Sequence, residues 1–235
     1  MMEHTSTSMA RPFAVDPQLL DLPNPFPNPE ELYKALSGGT RNGREIFARL
    51  WLTEGVPAIF RHCPAIYEEL RGWLGRQLNV HPKEINLIGS ARIGYSLAPL
   101  PDFGRPFGAH SDLDLSVISA SLFDRLVGSV QLFREDFKEG SIQPKSHRER
   151  ALWDANLQFA ERNIPRGFFD SNKIPNLHRY PAAQQINQAM WALSKKLEAT
   201  PGVPNPKRVS TRVYRDWHCF IDRVSFNLLK ALPTA

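Results

Sequence analysis

From Ser111 to Ile118 the chain reads Ser-Asp-Leu-Asp-Leu-Ser-Val-Ile, and this alternation constrains the fold more than any other stretch. Successive side chains of a strand point to opposite faces. Leu113, Leu115 and Val117 therefore share one face, and Asp112 and Asp114 share the other. A strand of this kind needs a core against its apolar face and a use for its acidic one. Adjacent carboxylates repel each other unless a cation lies between them, and hard divalent ions such as Mg2+ prefer such oxygen donors.

Upstream, Ile85 to Ile88 is a short apolar run with strand character, followed by Gly89-Ser90. A glycine-serine turn that leads into a helix offers free backbone N–H groups and a hydroxyl to a phosphate. Arg92 adds a charge nearby, and Tyr95 and Ser96 follow within a short helix expected to reach about Ala98. One segment thus brings a phosphate cradle and a metal-binding pair together, which suits chemistry on a nucleoside triphosphate.

Gly89-Ser90 followed by Asp112-Leu113-Asp114-Leu115 resembles the signature of the DNA polymerase β-like nucleotidyltransferases. Residues 91–111 separate the two halves, a longer gap than is usual for that family, and residues 97–109, rich in Pro and Gly, look like an insertion. The string GSARIGYS…FGRPFG…SDLDLSVIS, with the flanking RLWLTEGVP and RVYRDW, is similar to stand-alone bacterial nucleotidyltransferases found beside phage-defence or toxin-antitoxin genes.

The resemblance implies an α+β fold of the polymerase β-like type, with a small mixed sheet flanked by helices and a C-terminal helical subdomain. It implies two Mg2+ or Mn2+ ions as cofactors, held by Asp112, Asp114 and a third carboxylate that serves as general base. Asp170, at the end of a short strand-like run from Arg166 to Ser171, is the candidate for that third group. Asp102 and Asp136 are weaker rivals. Gly89, Ser90, Arg92, Ser96 and Lys173 are the candidate nucleotide-binding residues. The expected reaction transfers a nucleoside monophosphate from ATP or another triphosphate to a hydroxyl, with release of pyrophosphate. The acceptor stays open: a growing oligonucleotide or signal, a transfer RNA end, or a protein hydroxyl, with Tyr214 and Thr234 as self-modification candidates. An inactive nucleotide-binding module is the alternative. An effector protein encoded alongside is an expected partner, with anti-phage defence the expected setting.

The chain of 235 residues is 42 % hydrophobic and 23 % charged, which is enough to bury a substantial core. Cys63 and Cys219 have neither disulfide-framework nor metal-site spacing, and no run approaches a membrane span or a signal peptide. A cytoplasmic protein without membrane contact is expected. Charge is uneven. Residues 172–235 hold ten Lys and Arg against three Asp and Glu, so the +5 net charge sits in the C-terminal part, where an anionic ligand would bind.

Three segments follow: an extended, proline-rich arm over 1–29, a nucleotidyltransferase core over 30–172 and a basic helical part over 173–235. Within the arm, Leu19, Leu20, Leu22 and Phe26 are placed to drape over the core. Apolar spacing and proline at the first helical position predict helices over 43–54, 64–78, 120–137, 147–162 and 181–199. A final helix is predicted over 210–232, with Val213, Trp217, Phe220, Ile221, Val224 and Leu228 inward and a polar side that includes Arg208, Arg212, Arg215 and Arg223. Arg105 and His110, in the loop before the acidic strand, are a candidate triphosphate ligand and a candidate proton relay.

Overall fold

The computed structural model describes residues 15–232. Four strands form one mixed sheet in the order β1-β2-β4-β3. β1 (Ile85–Ile88) runs antiparallel to β2 (Asp112–Ile118), β2 pairs parallel with β4 (Arg208–Tyr214), and β3 (Phe168–Asp170) closes the edge antiparallel to β4. The fold is α+β, with helices on both sides of this small sheet.

The two faces of the sheet follow from the period of two. Ile85, Leu87, Leu113, Leu115, Val117, Phe169, Val209 and Val213 face one way and join the larger core. That core is roofed by α4 (Pro64–Leu78), α6 (Ala120–Glu139), α7 (His147–Asn163) and α8 (Pro181–Glu198). Proline occupies the first turn of α4 and of α8, where its missing N–H costs nothing. Ser146 caps α7 by accepting a hydrogen bond from the Glu149 N–H.

The opposite face is covered over part of its area. At one end Ile118, Phe168 and Tyr214 pack against α1 (Pro17–Leu20), α2 (Pro29–Leu36), α3 (Arg41–Leu50) and α9 (Trp217–Ala231). At the other end lie the polar residues of β2 and β4. Burial of Leu19 and Leu22 ties the proline-rich arm to this second core, as drawn from the sequence, while Leu20 points outward and Phe26 is half-buried. The arm is not wholly extended, since α1 lies within it, and its residues 1–14 lie outside the described residues.

The last helix is shorter than its apolar spacing predicted. Residues 208–214 form β4, and α9 begins only at Trp217. Val209, Thr211 and Val213 alternate with Arg208, Ser210 and Arg212, and β-branched side chains favour the pleated surface. The segment expected to be wholly helical thus supplies a strand that lies between β2 and β3. Trp217, expected inside, is 44 % exposed.

Candidate functional site

The polar face is built in rows, because paired strands place their side chains in register. Asp112 stands opposite Arg208. Ile88, Asp114 and Ser210 form the next row. Asn86, Ser116, Arg212 and Asp170 form the third. The acid pair of the sequence is therefore on one face and open to one side, as the alternation required.

Each carboxylate has a partner from β4 or a neighbour from the turn after β1. Arg208 donates to Asp112 at 3.1 Å, in an exposed ion pair. The Ser210 hydroxyl donates to Asp114 Oδ1 at 2.6 Å. The other oxygen of Asp114 faces the turn: a Cβ added to Gly89 would lie 3.8 Å from Oδ2. Gly89 has φ 64° and ψ −147°, a conformation that L side chains rarely adopt. This strained corner sets Gly89 and Ser90 beside Asp114. The helix that follows, α5 (Ser90–Ile93), is a single turn and stops at Gly94, well short of Ala98.

Arg92 is not at the phosphate position expected for it. Its side chain is 1 % exposed, and its guanidinium donates to the carbonyls of Trp51, Glu54 and Gly55. Burial lowers its pKa. The residue ties α5 to the end of α3 instead of facing a ligand. Ser96 lies in the following loop, where its hydroxyl accepts from the Ala98 N–H. That loop, the expected insertion, folds back on itself: Ser96 N–H donates to the Arg105 carbonyl and Phe107 N–H to the Gly94 carbonyl. Phe103 packs edge-on against Tyr33 and Tyr95, so the insertion is anchored on α2. Arg105 pairs with Asp102, and His110 is exposed.

Asp170 does not join the acid pair. β2 is flanked by β1 and β4, neither of which carries a carboxylate, and Asp170 lies one strand beyond β4. Arg212 grips it with two hydrogen bonds, of 2.5 and 2.9 Å. Burial draws the Arg212 guanidinium down, but the hydrogen bonds and charge of Asp170 together raise it above its usual value. Among the described residues no three His, Cys, Asp or Glu side chains are grouped to hold one ion. Asp112 and Asp114 fit a hard divalent cation by donor chemistry and by their shared face, whereas Asp170 stands two strands away from β2 and is engaged by Arg212. Asp136, the other rival, accepts hydrogen bonds from Arg179 and Tyr180 on the far side of the sheet. Lys173 is half-buried, with its ammonium 5.2 Å from the Phe159 ring centre. Tyr214, one of the candidate acceptor hydroxyls, is 1 % exposed and sealed in the second core. Thr234 lies outside the described residues.

Three features escaped the sequence. Arg208, Ser210 and Arg212 face the carboxylates because they belong to a strand and not to a helix. Beside them a cavity of about 560 Å³ opens between β4 and α8, lined in part by Asn172, Asn187, Trp191, Lys207 and Arg208. Its size suits a nucleotide-scale ligand, and its lining mixes an exposed aromatic with amides and cations. Next to the acid pair, Asn86 Nδ2 and Ser116 Oγ are buried without hydrogen-bond partners. The alternation of residues 208–214 was the signal that could have found the first of these.

Fold and site together define a mixed α+β chain whose half-covered sheet presents an acid pair, a strained glycine turn and a row of arginines. No family model, curated protein or solved structure matches this chain.

Proposed function

We propose that this chain is a metal-dependent nucleotidyltransferase of the polymerase β-like type, acting in bacterial anti-phage defence as a template-free oligonucleotide or signal synthase. The observation that carries this reading is the seating of the Gly89 turn against Asp114, with Asp112 on the same face. A phosphate held at the turn would lie beside the Asp114 carboxylate, and a cation between them would offset their repulsion.

Asp112 and Asp114 are the residues that would hold Mg2+ or Mn2+. Two such ions, if bound there, would supply positive charge to the transferring phosphoryl group and favour deprotonation of the attacking hydroxyl. The protein's own groups do the rest. Ser210 fixes the orientation of Asp114 through Oδ1, leaving Oδ2 toward the turn. Ser90 and the backbone after Gly89 would receive phosphate oxygens. The Arg208–Asp112 pair is exposed and worth only about 0–1 kcal/mol, so Arg208 can exchange its carboxylate for a departing pyrophosphate at little cost. Trp191 offers a face for a base in the adjoining cavity.

A second reading has its own observation. β4 presents Ser210 and two arginines beside the acid pair, with no carboxylate to take the proton of an attacking hydroxyl. A module that binds nucleotide without turning it over fits that composition.

One experiment separates the readings. The purified chain is incubated with each labelled ribo- and deoxyribonucleoside triphosphate and Mg2+ or Mn2+, beside an Asp112→Ala/Asp114→Ala variant. Pyrophosphate release by the parent, with loss of about a hundredfold or more in the variant, is expected for the enzyme. Nucleotide gels and protein gels then distinguish a free product from label fixed to protein. Tight nucleotide binding without pyrophosphate release would favour the binding module.

A further inference from the structure

A second cluster of cations lies at the opposite end of the sheet. Phe168 pairs with Tyr214, six residues along β4 from Arg208, which pairs with Asp112. At a strand rise of about 3.3 Å per residue the two ends are roughly 20 Å apart. Here a pocket of about 600 Å³ opens between the start of β3 and the first turns of α9. Arg166, Arg215, His218 and Arg223 bring positive or protonatable groups to it, and Phe168 and Phe226 supply aromatic surface.

The two acids of the pocket already have partners. Asp216 caps α9 through the Cys219 N–H and pairs with Arg215, while Asp222 pairs with Arg41. Arg166 is exposed and has no carboxylate partner among the described residues. Arg223 is the more telling group. Its guanidinium lies 5.1 Å from the Phe168 ring centre and 5.6 Å from that of Phe226, and its Nε is buried with no hydrogen-bond acceptor. Arg212 approaches the same Phe168 ring at 5.1 Å. Like charges are crowded around one ring, with a buried donor left unsatisfied. An anion entering the pocket would meet both needs at once.

We propose that this pocket is a second nucleotide-recognising site, which takes a phosphate group on Arg166 and Arg223 and stacks the attached base on Phe226. The ligand is a nucleotide, either free or as one residue of a single-stranded nucleic acid. The aromatic surface sets this chemistry apart from that of a bare anion. Phe226 is 44 % exposed, with Lys230 4.6 Å and Arg223 5.6 Å from its ring centre, so an accessible aromatic surface lies directly beside two cations. Aromatic rings and arginines together are the elements with which proteins bind single strands without reading sequence. Burial and the neighbouring charge of Arg212 both lower the Arg223 pKa, and a bound phosphate would relieve the second of these. The site does not depend on Asp112 or Asp114.

The test uses the full chain with Asp112→Ala and Asp114→Ala in place, so that the proposed catalytic site contributes no metal-dependent nucleotide binding. Binding of AMP, adenosine, inorganic phosphate and a labelled mixed-sequence single strand is measured by calorimetry or anisotropy. AMP is expected to bind about tenfold or more tightly than adenosine or phosphate. Adding Arg166→Ala should weaken AMP about tenfold and leave adenosine unchanged. Adding Phe226→Ala should weaken AMP by a similar factor and leave phosphate unchanged. Both residues are exposed, so both variants are expected to fold. Competition between AMP and the strand shows that a strand residue enters this pocket, and a strand that does not displace AMP assigns the pocket to free nucleotide. The proposal is overturned if AMP binds no better than phosphate, if neither added substitution changes AMP binding, or if a polyglutamate peptide displaces AMP as well as the strand does. Because the catalytic pair is absent throughout, these results stand or fall apart from the pyrophosphate measurement.

Discussion

Single residues hold the candidate site in shape, and two of them make contrasting claims on stability. Gly89 has a backbone that an L side chain resists, yet a Cβ there would meet only Asp114 Oδ2, at ordinary contact distance. The cost of Gly89→Ala is therefore one of backbone conformation, about 1–3 kcal/mol by thermal denaturation. The same substitution should slow pyrophosphate release beyond what lost stability explains, because relaxation of the turn moves it away from Asp114. Arg212 makes the other claim. Arg212→Ala leaves Asp170 half-buried without its bidentate donor, and a loss of about 3 kcal/mol is expected in urea titrations. Adding Asp170→Ala should recover part of that loss, and full additivity of the two substitutions would show that the pair is not coupled. The acid pair was legible in the sequence because two residues at spacing two need only a strand to share a face. Its basic neighbours were not, because Arg208 and Ser210 come 96 residues after the acids they touch. Arg92 misled for a related reason: proximity along the chain says nothing of direction, and its long side chain turned inward to carbonyls near residue 54.

At the scale of elements, α4 and α8 were readable because proline at the first turn and a regular apolar stripe agree with each other. The final helix was misread because Val213, Trp217, Phe220, Ile221 and Val224 keep helical spacing across a true boundary. Asp216 marks that boundary: its carboxylate accepts from the Cys219 N–H at 2.8 Å and starts α9 afresh. An aspartate followed by an apolar run is a helix-start signal. The Cys219 N–H bond, with Arg215 beside it, holds the Asp216 carboxyl down at about 2, against an ordinary 3.8. A value depressed by folding stabilises the folded chain above the ordinary value, and that contribution fades as pH falls through about 2. Asp216→Ala is expected to cost about 1 kcal/mol at neutral pH, the usual worth of a cap on a partly exposed helix end. Chemical denaturation of parent and variant between pH 6 and pH 2 checks this, since the gap between them should narrow only below about pH 4. A gap that is constant with pH would assign the loss to packing and not to the cap.

For the molecule as a whole, the sheet divides two cores, and β4 has a face in each: Val209 and Val213 on one side, Tyr214 on the other. The sequence announced three of the four strands, through short apolar runs and the alternation of β2, and the long amphipathic helices, but it hid β4 inside an expected helix. It could not announce strand order, because pairing depends on which distant segment fills the place beside β2. Removal of residues 207–235 would expose both cores along one line, and such a truncation is expected to lose cooperative unfolding and native near-ultraviolet dichroism altogether. Retention of a sharp transition would mean that β2 and β3 can close against each other without β4.

The place of β4 also bears on timing. A ribosome delivers β1, β2 and β3 before the strand that must lie between the last two. Until then the two aspartates project from an unfinished sheet edge, with neither Ser210 to orient one nor Arg208 to shield the other. A chain interrupted during synthesis would carry its acidic motif intact and yet lack the surroundings that give the motif a purpose. On the proposed function, competence would arrive late and all at once, and a nucleotide-consuming activity would be silent for most of the chain's own making.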